Sequence, residues 1–347
     1  MTASRLVVIS MGDPAGIGRE VILKAAATLS HKRDAPQLAV VGDLEAMKAA
    51  SRELGIDSPS PRAWEEFGKP AHLRNGLPVI NVGKLRAAAM RHGRPSVAGG
   101  DAAYRYIVEC CRLIETGTAG AMVTAPISKR WMNRAGHHFP GHSELIADFA
   151  KVRDWRMSFA GTQLRIALVT VHVGLKQMFK QLTEERVLAT IQIFSEHLRR
   201  QFKLDRPRIG VLGLNPHAGE NGLFGDEEGR VITPAIRRAQ RGGIDAFGPL
   251  APDTAFVRHG GKFGFDGAVA MYHDQGLIAL KTLDFDHAVN ITLGLPFVRT
   301  SPDHGTAYDI AGKGLASAGS MIAAIEYAAA SVRGDSRIER TTQRRAS

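Results

Sequence analysis

Residues 270–314, AMYHDQGLIALKTLDFDHAVNITLGLPFVRTSPDHGTAYDIAGKG, set His273, Asp274, Lys281, Asn290, Arg299, Asp303 and His304 among apolar residues and glycines. A solvated loop has no use for so many apolar neighbours, and an ordinary core has none for so many polar groups. Lys281, Asn290 and Arg299 follow one another at nine-residue intervals. A lysine and an arginine in such apolar sequence must be paired if buried, and a small polyanion would pair them. The closing HGTAYDIAGKG is a glycine-punctuated loop along which a nucleotide could lie, although a plain surface loop has the same composition.

Three histidines share one context: His172 in LVTVHVG, His217 in LGLNPHAG and His273 in AMYHDQG each end an apolar run beside a small residue or a turn. Three imidazoles with an open fourth position make a catalytic type of divalent-metal site. A single histidine so placed is more often a satisfied structural one; the repetition favours the metal. Asp253 in GPLAPDTAF and Asp274 could orient such imidazoles as hydrogen-bond acceptors, though Asp after proline also suits a turn. FPGHSELIADF sets His142 and Ser143 just before a helix with Glu144 in its first turn. Ser143 can cap that helix, and the pair can equally face a substrate. MGDPAGIGRE is a strand-to-helix turn whose glycines let backbone N–H groups approach an anion. It is neither a P-loop nor G-x-G-x-x-G, and the latter occurs nowhere in the chain.

The elements that must position these groups alternate. RLVVIS, QLAVVGD, AGAMVTAP, RIALVTVHV, RIGVLGLNPH, GAVAMYHD and AVNITLG read as strands. GREVILKAAATL, LEAMKAASREL, GDAAYRYIVECCRLIETG, TEERVLATIQIFSEHLRRQF, EGRVITPAIRRAQRGG and ASAGSMIAAIEYAAASV read as helices. Such alternation predicts an α/β protein with a largely parallel sheet. Asp13, Thr124, His172, His217 and His273 all fall where strands end, the edge at which open parallel sheets bind ligands, so they are expected to share a cleft.

A chain of 347 residues, 44% hydrophobic and 23% charged, is long enough for two globular domains. Its longest apolar runs are strand-sized, too short to span a bilayer, and MTASRLVVISMGDP holds no export signal. Cys110 and Cys111, adjacent in a helical pattern, fit two core thiols in a reducing cytoplasm. The net charge of +11 is dispersed, partly into the tail RGDSRIERTTQRRAS, without interleaved aromatic residues for base stacking. Anionic metabolites are therefore expected as ligands, and neither nucleic acid nor membrane as a partner.

Taken together, GDPAGIG, VTAPISK, GHSE, NPHAGENGLFGDEE, GPLAPDT, YHDQGL and VNITLGLPFVRTSPDHGTAYDIAGKG resemble the 4-hydroxythreonine-4-phosphate dehydrogenase family of pyridoxal phosphate biosynthesis, over nearly the whole chain. The resemblance implies the α/β fold of isocitrate and isopropylmalate dehydrogenases, two domains with a cleft between them. One domain would be residues 1–130 with 304–347, carrying the cofactor's adenosine loop. The other would be 131–303, carrying metal and substrate residues and the dimer interface. It implies a divalent metal (zinc, cobalt, manganese or magnesium) on His172, His217 and His273, the last given by the other subunit of a homodimer. It implies substrate contacts from His142, Ser143, Lys281, Asn290 and Arg299, and NAD on His304, Gly305, Thr306, Asp309 and Gly312. Lys281 would move a proton or hold a carboxylate, with Asp253 and Asp274 completing the catalytic set. The implied reaction oxidises 4-phosphooxy-L-threonine and decarboxylates the product to 3-amino-2-oxopropyl phosphate.

Two departures bear on the substrate. The family's usual GHTE is GHSE here, at Ser143, and its usual GIGPE is GIGRE, which adds Arg19 at a helix entrance. The wider family also oxidises D-threonate and D-erythronate 4-phosphates, and includes an aromatic-catabolism dihydrodiol dehydrogenase that usually lacks GHS/TE and NITLGLPFVRT. A metal-dependent hydrolase or lyase could use the same three histidines but would not need an adenosine loop.

Overall fold

The computed structural model describes residues 4–67 and 72–334. Contacts divide the chain into two compact units, one running to Arg153 and resuming at Leu295, the other running from Asp154 to Gly294. His142, Ser143 and Arg299 thus belong to the first unit, and His172, His217, His273, Lys281 and Asn290 to the second.

In the first unit the strands are β1 (Val7–Ser10), β2 (Leu38–Gly42), β3 (Pro61–Ala63), β4 (Leu77–Asn81), β5 (Ala121–Thr124) and, from the second unit's far side in sequence, Val298–Pro302. Their order is β3-β4-β2-β1-β5 and then Val298–Pro302, every pair parallel. VVIS, LAVVG and AMVT are buried throughout, as expected of a parallel sheet covered on both faces. The helices are α1 (Gly18–Ser30), α2 (Leu44–Leu54), α3 (Val97–Glu115), α4 (Lys129–Arg134), α5 (His142–Phe149) and a last one at Gly319–Arg333. Asp43 caps α2 by accepting from the Ala46 N–H at 2.8 Å, and Ser96 caps α3 by accepting from Gly99 at 3.1 Å. Cys110 and Cys111 are free and buried on α3.

The second unit holds β6 (Arg156–Ala160), β7 (Arg165–Leu168), β8 (Ile209–Leu212), β9 (Ala246–Leu250), β10 (Gly267–Ala270) and β11 (Val289–Leu293); Val298–Pro302 is β12. The order is β11-β6-β7-β10-β8-β9. β6 runs antiparallel to both neighbours, and β7, β10, β8 and β9 are mutually parallel. Its helices are α6 (Leu175–Gln181), α7 (Glu184–Phe202), α8 (Thr233–Arg241) and α9 (His273–Asp284), which makes Gly319–Arg333 α10.

All seven expected strands are present, and β3, β4, β6, β9 and β12 are additional. The three strands expected to end in histidines are shorter than read: RIALVTVHV leaves the sheet after Leu168, RIGVLGLNPH after Leu212 and GAVAMYHD after Ala270, where His273 opens α9. Lys281 therefore sits on a helix and not among buried strands. The helix forms because Gly276, Leu277 and Leu280 turn one face onto β7 and β10; a Cβ at Gly276 would lie 2.8 Å from Ile166 and 3.2 Å from Ala270.

Candidate functional site

In the first unit the parallel register builds a cationic cluster at the strand ends. Arg299 on β12 faces Met122 on β5, and Thr124, two residues on, shares that face. The Arg299 Nη2 donates to Thr124 Oγ1 at 2.6 Å, and the side chain is 2% exposed. Burial lowers its pKa to about 10, while Glu144 pulls it upward. The next residue, Ala125, accepts from His142 Nε2 at 3.2 Å. Since a carbonyl only accepts, Nε2 carries the proton. Burial first, then Arg299 and Lys129, push the His142 pKa well below the ordinary imidazole value. His142 is thus a neutral donor. Ser143 is buried beside it in the first turn of α5, whose N-cap position is Gly141. Glu144 and Lys129 both reach Gly141: a Cβ there would lie 3.1 Å from the Glu144 carboxylate and 3.3 Å from Lys129 Cε.

The glycine-rich turn after β1 adjoins this cluster. Asp13 is fully buried, donates its N–H to the Pro126 carbonyl at 2.9 Å, and accepts from the Ala15 N–H at 2.9 Å and the Tyr308 hydroxyl at 2.6 Å. Burial raises its pKa against those hydrogen bonds. The turn also seats the candidate adenosine loop: Ile17 donates to the Thr306 carbonyl at 3.0 Å, and a Cβ on Gly16 would meet that oxygen at 2.9 Å. Gly12, with φ of +75°, likewise has Pro126 O only 2.4 Å from any Cβ. On the loop, His304 Nε2 is buried without a hydrogen-bond partner, Gly305 has open space where a Cβ would be, and Asp309 is exposed. An orphaned ring nitrogen, open backbone and a free carboxylate fit the ribose and base of a dinucleotide.

In the second unit the histidines stand just beyond β7, β8 and β10, as expected. The rings of His172 and His273 lie 5.7 Å apart, centroid to centroid, tilted by 42°. His273 Nδ1 donates to Asp274 at 2.7 Å, which leaves Nε2 as the acceptor nitrogen, the usual carboxylate–histidine arrangement of a metal ligand. Among the described residues, no group of three His, Cys, Asp or Glu side chains converges as a cation cage, so His217 does not join the pair. His217 instead opens five consecutive residues, through Asn221, with φ between +41° and +79°. Four of these are not glycine, a conformation costing roughly 1–2 kcal/mol per residue. Glu228 holds that loop: it accepts from Leu214 and Asn215 N–H, each at 2.7 Å, and from Asn215 Nδ2 at 2.9 Å.

The remaining expected residues are dispersed in this unit. Lys281 Nζ lies 5.8 Å from the Phe285 ring centroid on its own helix. Asn290, on β11, has a buried Oδ1 without a partner. Asp253 is exposed past β9 and makes no hydrogen bond to a histidine among the described residues. By donor chemistry, the neighbouring His172 and His273 imidazoles, the latter oriented by a carboxylate, suit a borderline divalent cation, and a third imidazole would have to be brought to them. Sequence reading passed over Lys129, Tyr308 and Glu228; Lys129 was visible as the end of VTAPISK, whereas the partners of Tyr308 and Glu228 are set by tertiary contacts.

An α/β protein with a buried arginine–hydroxyl–histidine cluster at parallel strand ends, and three histidines, one of them oriented by a carboxylate, beyond a second set of strands, belongs to the class of metabolite enzymes that grip small anions. More narrowly, the chain belongs to the pyridoxal phosphate biosynthetic protein PdxA family, whose family model matches residues 34–328. It is 50% identical over 329 residues to the 4-hydroxythreonine-4-phosphate dehydrogenase of Geobacter metallireducens, covering 93% of this chain and 94% of that one. It is 42% identical over 326 residues to the D-threonate 4-phosphate dehydrogenase of Salmonella typhimurium, covering 94% and 98%. The crystal structure of 4-hydroxythreonine-4-phosphate dehydrogenase from Klebsiella pneumoniae superposes with a TM-score of 0.80 at 40% identity, over 95% of this chain and all of that one. These relatives are dehydrogenases.

Proposed function

We propose that the chain oxidises 4-phosphooxy-L-threonine with NAD, and that the resulting β-keto acid loses carbon dioxide to give 3-amino-2-oxopropyl phosphate. The observation that carries this reading is the Arg299–Thr124–His142 cluster. A buried, charged guanidinium beside the Ser143 hydroxyl suits a phosphate dianion, and the neutral His142, its one N–H given to the Ala125 carbonyl, is a fixed wall of that cluster. The orphaned Asn290 Oδ1 offers an acceptor for the substrate's ammonium or hydroxyl, and Lys281 would hold the carboxylate or move a proton.

Bound on His172, His217 and His273, a divalent metal would lower the pKa of the reacting hydroxyl, and bound NAD would accept the hydride. The chain's own work is positional. Asp274 fixes the His273 tautomer, Glu228 fixes the loop of His217, and His304 to Gly312 receives the adenosine end. We further propose a homodimer in which His273 serves the partner's site. Its support is the number of exposed large apolar residues in the second unit, including Leu175, Phe179, Leu223, Ile278 and Phe285.

The test is reduced-nicotinamide absorbance with 4-phosphooxy-L-threonine, D-threonate 4-phosphate and D-erythronate 4-phosphate. Turnover fastest on the first is expected, and none on any would refute the dehydrogenase reading. D-Threonate 4-phosphate is the second reading, favoured by the 42% identity to the Salmonella enzyme and by Ser143, whose missing methyl leaves the buried cluster roomier.

A further inference from the structure

Arg19, the family's usual proline position, does not extend toward the substrate cluster. It is 1% exposed and lines a cavity of about 470 Å³ with Glu53, Met90, Arg91, His92 and Arg94. Its Nη1 donates to Ala46 O at 3.3 Å and its Nη2 to Met90 O at 2.7 Å, with His92 ring nitrogens at 3.3 and 3.4 Å. Its buried Nε–H has no hydrogen-bond partner, and among the described residues the guanidinium forms no ion pair. A buried cation with no carboxylate in contact is costly; Glu53, Asp13 and Asp43 favour its charge only through space. This one also sits in the first turn of α1, where the helix dipole disfavours positive charge.

We infer that this cavity is a phosphate-binding site, distinct from the Arg299 cluster. The charge balance selects the anion. Three guanidinium groups face the single carboxylate of Glu53, and burial together with Arg19 depresses the His92 pKa, so His92 adds no charge. The excess of about two positive charges matches a phosphate monoester, near −2 at neutral pH, better than a carboxylate. Arg19 supplies a fixed donor already aligned by two carbonyls; the exposed Arg91 and Arg94 can close over a bound group. The site also touches the candidate adenosine loop: a Cβ on Gly312 would meet the His92 ring at 2.5 Å, and one on Gly93 would meet Tyr308 O at 2.8 Å. Two sources offer the same chemistry, a phosphate on the ribose of a dinucleotide and free inorganic phosphate.

Calorimetric titration of the full chain with inorganic phosphate, adenosine 2′,5′-bisphosphate and 5′-AMP tests this without relying on turnover. In the Arg91→Ala/Arg94→Ala double variant, whose altered side chains are exposed, at least one of the first two ligands should bind about tenfold or more weakly. Binding to the Arg299 cluster should persist. A loss confined to the bisphosphate over 5′-AMP identifies a ribose phosphate as the occupant; a loss with inorganic phosphate identifies the free ion. Arg19→Met should give the same loss, and the double variant carries the test should Arg19→Met misfold. Isotherms identical to wild type for all three ligands overturn the inference, whatever the outcome of the dehydrogenase assay.

Discussion

Burial draws the Arg299 pKa down to about 10, which leaves the guanidinium charged at neutral pH and poorly screened by water. Its worth to a bound phosphate is therefore large, and Arg299→Met should lower kcat/KM by about a hundredfold while the chain still folds; steady-state kinetics and circular dichroism measure the two halves. Histidine burial has a separate consequence. The folded-state pKa of His142 lies well below the ordinary value and that of His197 near 3, in both cases from burial first. In the unfolded chain both titrate near 6.5. Below that value the unfolded chain binds protons that the folded chain refuses, so this contribution to stability is intact above about pH 6.5 and is lost as pH falls toward the folded values. Urea midpoints should drop between about pH 7 and about pH 5. His142→Asn keeps a donor for the Ala125 carbonyl but cannot titrate, and should flatten that slope by the equivalent of about one proton; an unchanged slope would contradict the depressed imidazole.

The loop from Gly213 to Gly225 shows how an element can be both strained and fixed. His217, Ala218, Glu220 and Asn221 keep positive φ because Glu228 satisfies two backbone N–H groups and the Asn215 amide at the loop's entrance. Glu228→Gln replaces one acceptor oxygen with a donor. It should cost about 1–3 kcal/mol, speed hydrogen exchange in this loop, and, if His217 is a ligand, lower metal affinity about ten- to a hundredfold; exchange and metal analysis read these separately. Such a loop is not legible in the sequence, since HAGEN holds one glycine and its stabilising carboxylate comes from eleven residues beyond His217. The buried strands were legible for the opposite reason: VVIS, LAVVG and AMVT are uninterrupted apolar runs. β12 is hidden by its polar residues Arg299, Thr300 and Ser301, and the start of α9 by following β10 after only Met271 and Tyr272. Placement of the three histidines at strand ends could be read directly; which ligand each group serves came only with the family resemblance.

The largest question is how many chains complete one site. Most of the exposed large apolar side chains among the described residues belong to the second unit, with Leu223 71%, Ile278 68% and Phe285 67% exposed; joined into one patch they would mark a protein–protein contact. An isologous homodimer would cover the same patch on both copies, and Ile278→Asp with Phe285→Lys should shift sedimentation toward a monomer. The dimer reading makes His273 the ligand of the partner's site, whereas the 5.7 Å ring separation of His172 and His273 within one chain is the competing arrangement. Mixing two inactive variants separates them. If His273 acts in the partner's site, a dimer of one His217→Ala chain and one His273→Ala chain has one site with all three histidines intact and one lacking two. After denaturing and refolding equal amounts together, half the dimers are mixed, so about a quarter of wild-type activity should return. If all three ligands come from a single chain, every site in every dimer lacks one of them and no activity returns. We expect the quarter, with metal content rising in the same proportion; inactive mixtures that nonetheless sediment as dimers would place His273 with its own chain's His172.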